Sequence, residues 1–324
     1  MPISKIKVQS QNESIRIAVT SATFSSTPEL VSALKEKYAH VKINSPARKM
    51  RDDELVEFLA DCQAAIIGTE VVDRKVLQKS PQLKAIAKYG VGLDSLDLDC
   101  MRERGIPLGW IGGVNRRSVS ELTLAFFLGL ARNVFFSGFD LKGGAWNKHG
   151  GFELTGKTVG LIGCGFIGED VLRLLQPFQC EVLICDILDK SQQAKVYGAK
   201  LASFDEILER SDFVSLHVPL TAATKNMIAA PQLKRMRDTA YLVNTARGEL
   251  VEQQALKAAL QTGEIQGAAL DVFQEEPPTD LEFLSLPNLM VTPHIGGNAA
   301  EAVKAMGYAA IAGLDKSVAE AGLA

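Results

Sequence analysis

Apolar residues in this chain fall into two kinds of stretch. Some are short unbroken runs; in others they recur every three or four positions. Unbroken runs read as strands buried on both faces, and spaced ones as helices with one apolar side. In the first hundred residues the pattern predicts strands over Ile15–Val19, Ala64–Ile67 and Leu83–Ala87. Helices are predicted over Glu29–Tyr38, Asp52–Ala60 and Val72–Lys79, the last stopped by Pro81. This is a small parallel α/β unit. Pro107–Trp110 adds a short strand, and Ile111–Asn115 a glycine-rich bend. A long apolar helix is then expected to start at Ser118, which stands at capping-box spacing from Glu121, and to run to about Asn133. Lys142–Gly151, rich in glycine, reads as a loop.

A second series follows. Strands are expected over Thr158–Ile162, Glu181–Cys185, Phe213–His217, Ala240–Asn244, Gly267–Asp271 and Leu289–Thr292. Helices are expected over Phe204–Arg210, with Ser203 and Glu206 as a capping box, and over Gln232–Met236 and Glu252–Thr262. One more amphipathic helix, about Ala299–Ala319, lies beyond the last strand and is expected to return to the first unit. The fold class is therefore α/β with two doubly wound parallel-sheet domains. Residues 1–112 with 297–324 form one, and residues 113–296 the other.

The segment Val159–Gly168 carries the most chemistry. It reads strand, glycine turn, helix, with an acid closing the next strand. Gly163 allows the tight turn, Gly165 lets backbone approach a pyrophosphate, and Gly168 lets the helix lie close to the sheet. The helix N-terminus offers free N–H groups to phosphate. Asp186 follows Gly165 by about twenty positions, where a carboxylate takes the ribose hydroxyls. A 2′-phosphate there would meet a like charge, so NAD is expected over NADP.

Composition narrows the partners. The chain has 324 residues, 47% hydrophobic and 23% charged, with a net charge of −3 and no basic block, so nucleic acid is not expected. The start, Met1–Arg16, is polar and does not read as a secretory signal. The longest apolar run, Leu122–Ala131, is too short to cross a bilayer, and no membrane partner is expected. Cys62, Cys100, Cys164, Cys180 and Cys185 form no metal-type pair and read as small buried residues in a reducing compartment, the cytoplasm. No metal site is expected.

Three polar segments close predicted strands of the second series, on the edge where open parallel sheets bind ligands. They are Val243–Gly248, Asp271–Pro277 and Thr292–Gly297, and they supply an arginine, a glutamate and a histidine. Reduction of a 2-oxo acid needs a cation for the carboxylate, a proton donor near neutral pH, and an anion to keep that donor charged. The planar fork of arginine suits the first and histidine the second, and a carboxylate beside the histidine suits the third. Arg247, His294 and Glu276 fit. His40 and His149 have no such partner nearby in sequence and read as surface residues. His217 reads as cofactor-proximal or as the end of its strand.

On these residues the chain resembles the D-isomer-specific 2-hydroxyacid dehydrogenases over almost its whole length. The resemblance is carried by Gly163–Gly168, His217–Thr221, Asn244–Gly248, Asp271–Phe273 with Glu276-Pro277, and Pro293–Gly297. It implies a flavodoxin-like substrate domain and a Rossmann NAD domain with a cleft between them, usually dimeric through the NAD domain. It implies Arg247 on substrate, Glu276 as partner of the acid/base His294, and Asp271 on the nicotinamide side. Phe166, Ile167, Val218, Pro219, Thr224, Thr245 and Ala246 join the glycine loop, Asp186 and His217 as expected NAD contacts. Main-chain N–H groups of Val91 and Gly92 are implied for the substrate carboxylate, with Asn115 where the interdomain hinge meets the site.

Lys88–Asp94 and Ser45–Met50 resemble the phosphoglycerate dehydrogenase-like branch. A phosphate would need cations, for which Lys88, Arg48, Lys49, Arg116 and Arg117 are candidates. Against this, Glu70 stands in a segment where phosphoglycerate enzymes tend to carry arginine. Hydroxypyruvate or glyoxylate stays open as substrate. The chain ends close behind the catalytic core, so control by serine through a C-terminal sensing domain is not expected. Two other readings are an NADH-responsive scaffold of the corepressor type, and a relative acting on phosphite or formate.

Overall fold

The structure, a computed structural model, describes residues 12–323. The polar start of the chain, as far as Gln11, lies outside the described residues. The chain forms two compact units, one reaching to Asn115 and resuming at Ala300, the other Arg116–Ala299. The two crossings thus fall at Asn115/Arg116 and Ala299/Ala300, where the sequence suggested 112/113 and 296/297.

Among its described residues the first unit holds five parallel strands: β1 (Asn12–Val19), β2 (Tyr38–Ile43), β3 (Ala64–Ile67), β4 (Ala85–Lys88) and β5 (Leu108–Gly109). Their order is β2-β1-β3-β4-β5, the flavodoxin-like winding. Successive side chains of a strand point to opposite faces. Ile17 and Val19 therefore join Leu30, Leu34 and the last helix, Ala300–Glu320, through Met306, Ala310 and Leu314. Ala18, between them, joins Leu55, Leu59, Val76 and Leu77 on the other face. The last helix comes close because two glycines meet. A Cβ on Gly109 would lie 2.0 Å from the Gly313 carbonyl oxygen, which no side-chain rotation relieves.

The second unit holds seven strands: β6 (Thr158–Ile162), β7 (Glu181–Cys185), β8 (Lys200–Leu201), β9 (Phe213–Leu216), β10 (Tyr241–Asn244), β11 (Gly267–Leu270) and β12 (Leu289–Val291). They run β12-β11-β10-β9-β6-β7-β8, all parallel. Register decides what this edge offers. Ile162 pairs with Cys185 and Leu216, Leu216 with Asn244, Asn244 with Leu270, and Leu270 with Val291. The next residues, Gly163, Asp186, His217, Thr245, Asp271 and Thr292, therefore all leave the sheet at one carboxyl edge. Strand order reverses between β6 and β9, so Gly163 and His217 flank the switch point, where such sheets bind ligands.

Some local expectations change. The helix expected over Glu29–Tyr38 ends at Lys37, and Tyr38 opens β2. That strand lies at the sheet edge with Ala39 and His40 exposed, so it lacks the unbroken apolar run that marks its neighbours. The crossing helix is Arg116–Ala131 rather than a helix capped by Ser118, which lies within its first turn. A further helix, Val134–Lys142, precedes the expected loop and has no buried residue. The Ser203–Glu206 capping box is present in full. Among the described residues no single helix is long and apolar enough to cross a membrane. Arg116–Ala131 and Val134–Lys142 pass that test only as a pair bent by 64°. The first of them buries Phe126, Phe127 and Leu130 in its own unit's core.

Candidate active site

The glycine loop follows β6. Gly163 has φ +95°, a left-handed conformation that glycine adopts without the clash a side chain brings. A Cβ there would also stand 2.6 Å from the carbonyl oxygen of His217, and one on Gly168 2.2 Å from that of Gly163. Gly165 differs, because a Cβ there would meet nothing within 4 Å. It is the N-cap of the ten-residue helix Phe166–Leu175, whose first side chain, Phe166, is exposed while Ile167 is half-buried. A closely packed turn with one open face at a helix N-terminus fits a dinucleotide pyrophosphate.

Asp186 is tied into this loop. Its carboxylate accepts from the Cys164 N–H at 2.7 Å and the Leu188 N–H at 2.8 Å, with the Lys190 ammonium 4.0 Å away. Cys164 itself is buried, and burial pushes its thiol up to about 11, which suits a filler and not a nucleophile. His217 shares a hydrogen bond of 3.0 Å between Nε2 and the Ser215 hydroxyl, and burial pushes its pKa down to about 4. It stays neutral at ordinary pH. Val218 is half-buried, and Pro219 accepts from the Thr224 hydroxyl at 2.7 Å, which closes the turn after β9. Thr245 is buried, with its hydroxyl 3.0 Å from that of Thr123 on the crossing helix. The Ala246 N–H donates to Asn244 Oδ1.

Arg247, Glu276 and His294 come together on the second unit. His294 Nδ1 lies 2.7 Å from Glu276 Oε2. That bond raises the imidazole pKa above its ordinary value; Asp271 adds to the rise, while burial and the nearby Arg247 guanidinium oppose it. With Nδ1 engaged, Nε2 is the nitrogen left to exchange a proton. Glu276 also accepts from the Phe273 N–H at 3.2 Å. Arg247 follows a turn in which the Asn244 side chain donates to its carbonyl at 2.8 Å.

His294 has φ +54°, uncommon for a residue with a side chain. Asp271 holds it there. The Asp271 carbonyl accepts from the His294 N–H at 2.8 Å. Its carboxylate accepts from the Thr292 hydroxyl at 2.6 Å, the Ile295 N–H at 2.7 Å and the Gly296 N–H at 2.8 Å. Asp271 is 1% exposed, so its side chain, expected on the nicotinamide, is turned instead into the histidine's loop.

On the first unit, Val91 and Gly92 are half-exposed on the loop after β4, and the Val91 carbonyl accepts from the Trp110 indole at 3.2 Å. Asn115 is buried, with Oδ1 lacking a hydrogen-bond partner. Lys88, expected to meet substrate, is 6% exposed and donates to the Gly68 carbonyl and to the Ser95 hydroxyl. Lying at the end of a fully buried strand, it serves the loop after β3. Glu70 is 1% exposed and accepts from the Thr20 hydroxyl at 2.7 Å and the Gly68 N–H at 3.0 Å. His40 and His149 are exposed, as expected.

Three contributors are not evident in sequence: Ser118 looks like a cap, and Thr292 and Gly248 look only like members of their polar segments. A Cβ on Gly248 would lie 1.9 Å from the Phe273 carbonyl carbon, so this glycine lets the Arg247 turn and the Glu276 segment touch.

The family model for the NAD binding domain of D-isomer specific 2-hydroxyacid dehydrogenases matches residues 124–296. The chain is 39% identical to a D-3-phosphoglycerate dehydrogenase of Methanocaldococcus jannaschii, over 81% of this chain and 51% of that one, so it spans about half of that relative. It is 37% identical to a glyoxylate reductase of Pyrococcus furiosus over 85% of each chain. The D-lactate dehydrogenase of Aquifex aeolicus, solved with NAD and lactic acid, superposes with a TM-score of 0.82 at 28% identity, covering 94% of this chain and 95% of that one. With its glycine loop at the switch point and its second unit matched by the NAD-binding model, the chain belongs to the D-isomer specific 2-hydroxyacid dehydrogenases.

Proposed function

We propose that this chain reduces a small, non-phosphorylated 2-oxo acid such as glyoxylate or hydroxypyruvate to the D-2-hydroxy acid, with NADH. The observation that carries the reading is the 2.7 Å contact between His294 and Glu276 beside Arg247, on the sheet edge that also bears the glycine loop. NADH, when bound, supplies the hydride. Gly163, Gly165, Gly168 and the helix N-terminus hold its pyrophosphate, and Asp186 selects the unphosphorylated ribose. Arg247 grips the substrate carboxylate with its planar fork. His294 Nε2 gives a proton to the carbonyl oxygen as it becomes hydroxyl, and Glu276 keeps the imidazole charged until then.

Phosphate recognition is disfavoured because three of the five candidate cations are engaged elsewhere. Lys88 is buried on main-chain and serine oxygens. Arg48 makes two bonds of 2.8 Å to Glu54, and Arg117 one of 2.7 Å to Asp170. The test is NADH oxidation with glyoxylate, hydroxypyruvate and phosphohydroxypyruvate, with NADPH in parallel. A kcat/KM at least about ten-fold higher for an uncharged side chain is expected, the effect of one unmatched polar group. The opposite order overturns the substrate class, and no turnover on any acid overturns the enzyme reading.

The reading includes a homodimer through the second unit and a cytoplasmic site. Val134, Phe139 and Leu141 of the helix Val134–Lys142, and Trp146 just after it, are 62%, 62%, 56% and 79% exposed, apolar side chains that a second copy would cover. All five cysteines are free, which fits a reducing compartment. Light scattering is expected to give twice the mass of one chain, and Trp146→Asp with Phe139→Asp to give the monomer; a monomeric native protein rules the dimer out.

A further inference from the structure

We infer that Ser118 is a positioning residue for His294, acting through the carbonyl of Gly296. Its hydroxyl donates to the Gly296 carbonyl at 2.5 Å and accepts from the Ala299 N–H at 3.3 Å. A serine in the first helical turn ordinarily serves its own helix. Here it joins the two chain crossings, because it lies just after Asn115/Arg116 while Ala299 lies at the other.

Asp271 takes the donors of the histidine loop, the Thr292 hydroxyl and the Ile295 and Gly296 N–H groups. It cannot take the loop's acceptors. Ser118 takes one, the carbonyl of the Gly296–Gly297 peptide. That peptide joins two glycines, so no side chain restrains its rotation. Another restraint is local, the turn closed by the Asn298 N–H on the Ile295 carbonyl at 2.8 Å.

Ser118 can act as a fixed point because its own turn is anchored elsewhere. Arg117 binds the buried Asp170 of the glycine-loop helix at 2.7 Å. The Ser120 hydroxyl reaches the Ile167 carbonyl on that same helix at 3.3 Å. The turn Arg117–Ser120 thus ties the cofactor helix on one side to the histidine's loop on the other. Loss of the Ser118 hydroxyl frees the Gly296 peptide, and with it the distance from His294 to Glu276. Asp271 and Arg247 are the other charged groups acting on that ring.

The inference rests on His294 as the proton donor, but its test does not need turnover. The chain has four histidines, few enough to follow their ring protons by NMR as pH is raised, with His294→Ala giving the assignment. In Ser118→Ala the His294 titration is expected to move down by about half a pH unit or more as Glu276 is lost. The kcat for glyoxylate is expected to fall about ten-fold, as misplacement of a catalytic group does, with NADH affinity kept within about two-fold. Ser118→Thr, which keeps the hydroxyl, is expected to restore both. An unchanged His294 titration in Ser118→Ala overturns the inference, even if the variant melts earlier. A shifted titration in a protein that reduces none of the acids upholds it and overturns the proposed function instead.

Discussion

His294→Ala is expected to lower kcat by about a hundred- to ten-thousand-fold, the range a positioned acid contributes. NADH affinity should stay near that of the native protein, because the glycine loop and Asp186 bond to neither the ring nor its partner. Stopped-flow turnover with a fluorescence titration of NADH separates the two, and near-native turnover would remove His294 from the mechanism. The pH profile carries the sign of the same contact. Glu276 raises the imidazole pKa, so reduction, which needs the protonated ring, holds at low pH and falls as pH rises through that raised value. Oxidation of the hydroxy acid, which needs the neutral ring, rises over the same interval. In Glu276→Gln the raising contact goes, and the fall in reduction sets in at lower pH. A profile unmoved by Glu276→Gln contradicts the pairing.

Gly248→Ala is expected to damage both stability and catalysis through a single methyl group. The added Cβ would meet the main chain of Phe273 and Gln274 at 1.9 to 2.4 Å, and main chain cannot swing aside as a side chain can. Overpacking of this kind costs about 1–3 kcal/mol. The displaced segment leads directly to Glu276, so the ring of His294 loses its partner as well. Thermal melting and kcat measured together should both fall, while Gly165→Ala, which meets open space, should melt like the native protein. Equal melting of the Gly248 variant and the native protein would show that the segment yields more easily than its contacts imply.

Much of this was legible in the chain because parallel strands buried on both faces leave unbroken apolar runs. β3 and β11 are wholly of this kind and β6, β9 and β10 nearly so, and the turns that close β10, β11 and β12 bring their polar residues to the edge that bears the glycine turn of β6. The edge strand β2 was not legible, since exposure on one side dilutes its apolar signal. Residue type gave Arg247, Glu276 and His294 but not what their neighbours do. Asp271 carries a charge that suits a cofactor, yet its carboxylate organises a loop. Lys88 carries a charge that suits phosphate, yet it is consumed by Gly68 and Ser95. Both outcomes depend on which main-chain groups lie within 3 Å or so, and spacing along a chain does not contain that distance. Ser118 fails for a related reason: its bonding partners are some 180 residues away.

The meeting of Gly109 with Gly313 has a consequence for how the molecule is made. The second unit is continuous, and a ribosome has delivered all of it once Ala299 emerges. The first unit is split, and Met306, Ala310 and Leu314, which cover one face of its sheet, come last. Until then that face of the sheet has only the helix Pro28–Lys37 against it, and the narrow groove at Gly109 is vacant. The nascent chain therefore carries a finished nucleotide-binding half beside an unfinished one with a partly covered apolar face. Chaperone demand during synthesis should fall on residues 12–115, and should end only when the final helix slides into its glycine-lined slot.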